Sequence, residues 1–140
     1  MKRKLSMLTC LMWAVVTAAL VVYPGCKKTA VSPFSMLYQR WEWVRSSGGI
    51  AGVVQTPQSE GYTRAIDFTE NGFFTVYQDN AVVISSTYTI IRAESILDNR
   101  EYDIIVFDNG LLESAIIQLS GDTLVLREEV FDGFTHTYRR

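Results

Sequence analysis

From Tyr38 to its end this chain is broken by turn chemistry at intervals of about ten residues, the spacing of short antiparallel strands. The signals are Glu70-Asn71-Gly72, Asp79-Asn80, Asp98-Asn99, Asp108-Asn109-Gly110, Ser120-Gly121-Asp122 and Asp132-Gly133. Asn-Gly and Asp-Gly supply the positive φ angles that tight hairpins require. Between the turns lie runs rich in Val, Ile, Thr, Tyr and Phe. The runs alternate: Ile66 and Phe68 fall on one face with Ala65 and Asp67 on the other, and Leu124 and Leu126 oppose Thr123, Val125 and Arg127. Ala115, Ile117 and Leu119 form a further set, with Ser114 and Gln118 across from them. One face buried and one face wet is the antiparallel pattern.

This reading predicts strands near 38–46, 62–69, 73–78, 82–91, 94–98, 101–107, 111–119, 123–129 and 134–140. No stretch past Ser35 has the period of a three-turn helix. The fold class is therefore all-β. Nearly every connection is hairpin-short, so the strands make an up-and-down antiparallel meander. Closing it into a small barrel of about eight strands removes the exposed edges. The exception runs from Ser46 to Gly61, with Gly48, Gly49, Gly52 and Pro57 and few charges. A lid and a flexible crossover are the two readings of such a loop.

The start of the chain is of another kind. Met1-Lys2-Arg3-Lys4 is basic, Leu5 to Tyr23 is apolar apart from a few Ser and Thr, and Tyr23-Pro24-Gly25 leads into Cys26. That order marks an export signal. It resembles a bacterial lipoprotein signal, which implies cleavage before Cys26 and acylation of its thiol. The domain layout is then 1–25 signal peptide, 26–35 lipidated cysteine and flexible tether, and 36–140 barrel. A retained membrane helix is the alternative, since the apolar run is about as long as the shortest bilayer span. Both readings put the domain outside the cytoplasm, because the basic residues before the run stay inside.

Loss of the leader removes Lys2, Arg3 and Lys4 from thirteen basic residues, leaving ten against fifteen acidic, a balance of about −5. Such a surface repels phosphate backbones, which argues against nucleic acid. Cys10 leaves with the leader, so Cys26 is the one thiol remaining and no internal disulfide can form.

Candidate chemistry is sparse. His136 is the only histidine, and it has no second histidine for a metal site or a relay; it is expected at the exposed rim. Glu101 with Asp103, and Glu128 with Glu129, are paired carboxylates, expected as solubilising edges rather than as a hydrolytic pair. No nucleophile elbow, phosphate loop or calcium loop occurs. The expectation is a protein that is not an enzyme and uses no cofactor and no metal.

Several stretches together are similar to the small lipocalin-like domains of bacterial lipoproteins. They are Leu37, Trp41-Glu42-Trp43-Val44, Ser46-Ser47-Gly48-Gly49, Phe68 with Asn71-Gly72, Tyr88-Thr89-Ile90, Leu119 to Leu124, and Tyr138-Arg139-Arg140. Gln39 stands where lipocalins carry Gly. The resemblance implies that Arg139 or Arg140 stacks on Trp41 to close the barrel bottom, a cation–π contact worth about 0.5–2 kcal/mol. A core tryptophan with two solvated arginines is the alternative.

Rings inside a barrel can line an apolar pocket with polar tips. Tyr62, Tyr88, Tyr102 and Tyr138 are the candidate ligand-binding rings, with Ile50, Val53 and Val54 as the apolar underside of a lid. A filled core and a loop that plugs the barrel remain equally open. The expected function is a lipid-anchored lipoprotein of the cell envelope, at the outer membrane, holding a small apolar ligand. The alternative is a structural or protein-interaction module of the envelope.

Overall fold

The structure, a computed structural model, describes residues 32–140. The export signal, Cys26 and most of the tether lie outside the described residues. The described part is one sheet of strands β1 (Arg40–Gly48), β2 (Val53–Gln55), β3 (Arg64–Phe68), β4 (Phe73–Gln78), β5 (Ala81–Glu94), β6 (Glu101–Phe107), β7 (Ser114–Ser120), β8 (Thr123–Glu128) and β9 (Phe134–Arg139), with a single-turn helix α1 (Pro57–Glu60). Neighbours pair antiparallel in the order β2-β1-β3-β4-β5-β6-β7-β8-β9, and β1 also pairs with β9. The hydrogen-bond circuit thus closes through eight strands, with β2 an extra strand beside the second half of β1. This is the closed up-and-down barrel that the turn spacing predicts.

Local chemistry explains the hairpins. Asp79 and Asn80 have φ of 49° and 64° and join the facing residues Gln78 and Ala81, a two-residue turn of the kind that matches strand twist. The predicted strand at 94–98 is not formed; β5 runs without a break to Glu94 and the chain then turns. The Ser95 hydroxyl accepts the Leu97 N–H, and Asn99 takes a left-handed φ of 56°, so local bonds replace a ladder. The expected face of Ala115, Ile117 and Leu119 is also corrected. The register shifts between Ile116 and Gln118, which leaves Ile117 exposed while Ile116 and Leu119 pack on the core.

The connection from Ser46 to Gly61 is structured. The first strand continues to Gly48 and folds back on β2, and α1 follows. Thr56 and Ser59 exchange side-chain bonds to each other's backbone N–H, Pro57 starts the helix, and Gly61 ends it at φ 77°. Gly48 is no swinging hinge. A Cβ there would lie 2.2 Å from the Gly133 carbonyl oxygen, so its role is close approach between β1 and the β8–β9 turn.

One end of the barrel is plugged. Residues 32–39 form successive turns, with Leu37 N–H bonded to Phe34 O, and they drive Leu37 fully into the core. The Trp41 indole N–H donates to Leu37 O at 3.0 Å. Phe68 meets Phe74 at 4.9 Å and Tyr88 edge-on at 5.1 Å, filling this half. Ser32 to Ser35, expected in the tether, therefore belong to the folded unit; Phe34 packs on the core and Ser32 bonds the Tyr38 hydroxyl. The stacking of Arg139 or Arg140 on Trp41 is absent among the described residues. Alternation points Tyr138 inward and leaves both arginines exposed, and Leu37 occupies the barrel bottom instead.

The seam between β6 and β7 is the shortest, with just Ile104–Ala115 and Ile105–Ser114 in register. A polar clasp spans it on the outer face. Arg127 bonds Asp98 and Glu129, each at 3.1 Å, and Ser95 at 2.9 Å, and stands 4.9 Å from the Tyr102 ring. Glu129 is thus a buried ion-pair partner, and only its neighbour faces inward; the two do not form a solubilising edge. Glu101 and Asp103 share a face, where both meet Arg92 at 3.8 and 3.3 Å.

Candidate functional site

The unplugged end is the one from which the β1–β3, β4–β5, β6–β7 and β8–β9 connections leave. Period-two alternation brings a defined set of side chains into the lumen there. Ile66, Phe74, Val76, Ile84, Phe107 and Leu126 form an apolar wall, and Arg64, Ser114, Glu128, His136 and Tyr138 stand around it. They enclose a cavity of about 260 Å³ that is open at the mouth. Two bulges tune this lining. One leaves Val83 without a register partner and turns it onto the cavity. The other, between Trp43 and Arg45, puts Ser46 inside the barrel in place of Arg45, whose charge stays outside.

That second bulge completes a chain of hydrogen bonds. The Trp43 indole N–H donates to Ser46 Oγ at 2.8 Å, and Ser46 Oγ lies 2.6 Å from His136 Nδ1. His136 Nε2 lies 3.1 Å from Glu128 Oε1, and Glu128 Oε2 accepts the Phe134 N–H at 2.8 Å. The indole N–H can only donate, so Ser46 Oγ accepts from it; with the Glu128 carboxylate accepting at Nε2, a neutral imidazole carries its proton there and takes the Ser46 hydroxyl at Nδ1. Every link then has one donor and one acceptor. The bond from His136 is the main reason the Glu128 carboxyl is held below the usual carboxylate range, against the effect of burial; the Phe134 N–H and the charges of His136, when protonated, and Arg64 add to it. His136 was expected at the rim. It is instead largely buried, because Ser46 and Glu128 satisfy both of its nitrogens.

Arg64 is the opposite case. Its guanidinium stands 5.8 Å from the Trp43 ring and 6.0 Å from the Tyr62 ring, and these two rings stack at 6.0 Å. Its Nε is buried without a hydrogen-bond partner, and among the described residues it forms no ion pair. The Tyr138 hydroxyl likewise has no hydrogen bond to a described residue; burial raises its pKa, while Arg64 pulls the other way. The mouth therefore offers unspent donors beside an apolar wall.

Of the ligand-binding residues expected from sequence, Tyr138 lines this cavity and Tyr62 stands behind Arg64 at the rim. Tyr88 lies in the plugged half, where its hydroxyl donates to Thr69 O and burial pushes its pKa up to about 12. Tyr102 is on the outer face, bonded to Asp98. The lid is corrected as well. Ile50 is 91 % exposed at the β1–β2 hairpin tip, and Val53 and Val54 are exposed on β2, so none of them covers the cavity. Ordering by the β1 ladder and the α1 cap holds the hairpin off the mouth.

Sequence reasoning missed Arg64, Glu128, Ser46 and the inward setting of His136. A signal existed for two of them: Arg64 shares the face of Ile66 and Phe68, and Glu128 that of Leu124 and Leu126. A charge at an inward position of a barrel strand marks a site. Ser46 carried no such signal, since a bulge decides its direction.

Serine, imidazole and carboxylate in sequence have the connectivity of a nucleophilic relay. Ser46, however, is 1 % exposed and does not line the cavity. What the lumen presents is a concave surface, apolar below and polar at the lip. A larger hollow of about 410 Å³ is lined by Pro33, Phe34, Met36 and residues of β7, with Asp103 its one charged residue. It gathers no convergent chemistry. No group of three or more His, Cys, Asp or Glu able to hold a metal occurs among the described residues. Compared with known protein families, with curated proteins and with solved structures, the chain matches none of them.

Proposed function

We propose that this protein is a lipid-anchored, lipocalin-like binding protein of the cell envelope, with a small apolar ligand held in the open half of its barrel. The observation that carries the reading is the cavity of about 260 Å³, walled by Ile66, Phe74, Val76 and Leu126, in a barrel whose far end is plugged by Leu37. Small-ligand sites are concave, mostly apolar and furnished with a few convergent polar groups. The basic start, the apolar run and Gly25-Cys26 support anchoring through a lipid on Cys26, with the domain outside the cytoplasm, at the outer membrane. Binding without catalysis fits the buried Ser46 hydroxyl.

The test is native mass spectrometry of the intact chain purified from a membrane fraction. A bound small molecule that is lost when Val76→Glu or Leu126→Glu fills the cavity is the expected result. A chain that carries nothing and takes up no apolar probe would overturn the ligand reading. Cys26→Ser is expected to release the chain or leave its precursor uncut, and unchanged processing and attachment would overturn the anchor.

A second reading, an interaction module of the envelope, is favoured by the exposed Ile50, Val53 and Val54 on the projecting hairpin. Charged substitutions there would then abolish a pull-down partner and leave ligand content unchanged.

A further inference from the structure

We propose that the ligand is an acid, with its carboxylate set against Arg64 and Tyr138 and a short apolar tail lying on the lumen wall. The inference rests on the lumen being a binding site and adds the chemistry of the head group. Three observations support it. Arg64 lines the cavity, its Nε is buried without a partner, and among the described residues no carboxylate pairs with it. The Trp43 and Tyr62 rings, 5.8 and 6.0 Å from the guanidinium carbon, hold its position before any ligand arrives. The Tyr138 hydroxyl, on the same cavity, adds a donor with no bond to a described residue.

The acceptors nearby are already engaged. Glu128 takes the Phe134 N–H on one oxygen and meets the His136 imidazole on the other, and His136 Nδ1 meets the Ser46 hydroxyl. A carboxylate oxygen keeps a second lone pair, but the groups at this lip with no hydrogen bond to a described residue are the donors of Arg64 and Tyr138, and a head that accepts from them fits best. A guanidinium binds a planar carboxylate through two parallel N–H bonds, which a hydroxyl or amine cannot reproduce. The charge of Glu128 opposes an anion, so the preference is a contest between its repulsion and the attraction of the unpaired Arg64. The free donors of Arg64 decide it. Size limits the tail: a cavity of about 260 Å³, open at its mouth, suits a short chain such as that of octanoate rather than a long one.

The experiment is calorimetric titration of the intact chain in a nonionic detergent with octanoate, octanol and octylamine. The same titrations are run on Arg64→Gln and on the isosteric Tyr138→Phe, whose melting temperatures are recorded alongside. Partition of each probe into micelles is common to all variants and cancels between them; between probes, each affinity is referred to the free aqueous concentration measured in the detergent alone. Octanoate is expected to bind about tenfold or more tightly than octanol, and Arg64→Gln to erase that preference while leaving octanol unchanged. Tyr138→Phe is expected to weaken octanoate by a smaller factor, which keeps the inference testable if Arg64→Gln does not fold. Equal binding of octanoate and octanol, unmoved by either substitution, would overturn the acid head and leave the lumen site standing. A preference for octylamine would overturn it in favour of Glu128. Saturable binding of none of the three would remove the lumen site itself, and this inference with it.

Discussion

Glu128 shows how one side chain ties several others. Its two oxygens hold the Phe134 N–H and the His136 ring, and through that ring the Ser46 hydroxyl and the Trp43 indole are satisfied in turn. A fully paired buried network fixes geometry, and one missing member exposes the rest. The sign of the pH dependence follows. The Glu128 carboxyl titrates lower in the folded state than the ordinary value of about 4.3. Its contribution is thus complete above that ordinary value and disappears as pH falls through the lowered folded one. The melting temperature is expected to stay level from neutrality to about pH 5 and then drop. In Glu128→Gln the neutral value is lower and the acid drop shallower. An acid limb of unchanged depth would show that other carboxylates carry it. Asp98 acts in the same direction: burial alone would raise its pKa, but its bonds from Arg127, Tyr102 and the Arg100 N–H outweigh that.

At the scale of elements, the barrel depends on where β1 can approach its neighbours. This strand pairs with β3 at its start, with β2 at its end, and with β9 along most of its length. The bulge between Trp43 and Arg45 keeps Trp41, Trp43 and Ser46 all inside. At the strand end Gly48 is wedged against backbone. A methyl group there would meet Gly133 O at 2.2 Å and Phe134 Cα at 2.8 Å, neither of which can rotate away. Gly48→Ala is expected to cost about 1–3 kcal/mol or more, as overpacking against fixed atoms does. Gly52→Ala is the control, since it has a positive φ of 61° but no neighbour within 4 Å, and should cost about 1 kcal/mol. Equilibrium urea unfolding separates the two, and equal losses would show that the close approach is unimportant.

For the molecule as a whole, the two ends of the barrel differ in kind. The plugged end is dry: Leu37, Trp41, Phe68 and Leu124 are fully or almost fully buried there. The other end keeps its cavity because its inward positions carry Arg64, Glu128 and His136, which cannot collapse on one another as Leu or Phe would. The plug belongs to the stretch before the first strand, so this short segment is part of the core. Leu37→Ala is expected to lower stability by about 2–5 kcal/mol, the range for a buried leucine truncation, with the β-dominated circular dichroism spectrum unchanged. A loss under about 0.5 kcal/mol, the scale of a surface substitution, would mean that the turn at 32–39 is only loosely seated.

Turn residues and period-two alternation were enough to determine the fold class, a closed barrel of about eight strands and most hairpins, because these depend on local backbone preference; they missed β2 and added a strand at 94–98. They also placed Tyr138 and Leu126 inward. They could not locate the register shifts near Val44, Val83 and Ile117, since a bulge is set by how two strands twist together rather than by either alone. The consequences of those shifts were hidden with them, including the entry of Ser46 and the outward turn of Ile117. The partners of His136 come from strands ninety and eight residues away in sequence. Only closure of the barrel, which brings β1 beside β9, decides that a lone histidine becomes the centre of a buried chain and that Arg64 stands at the mouth with no ion pair among the described residues.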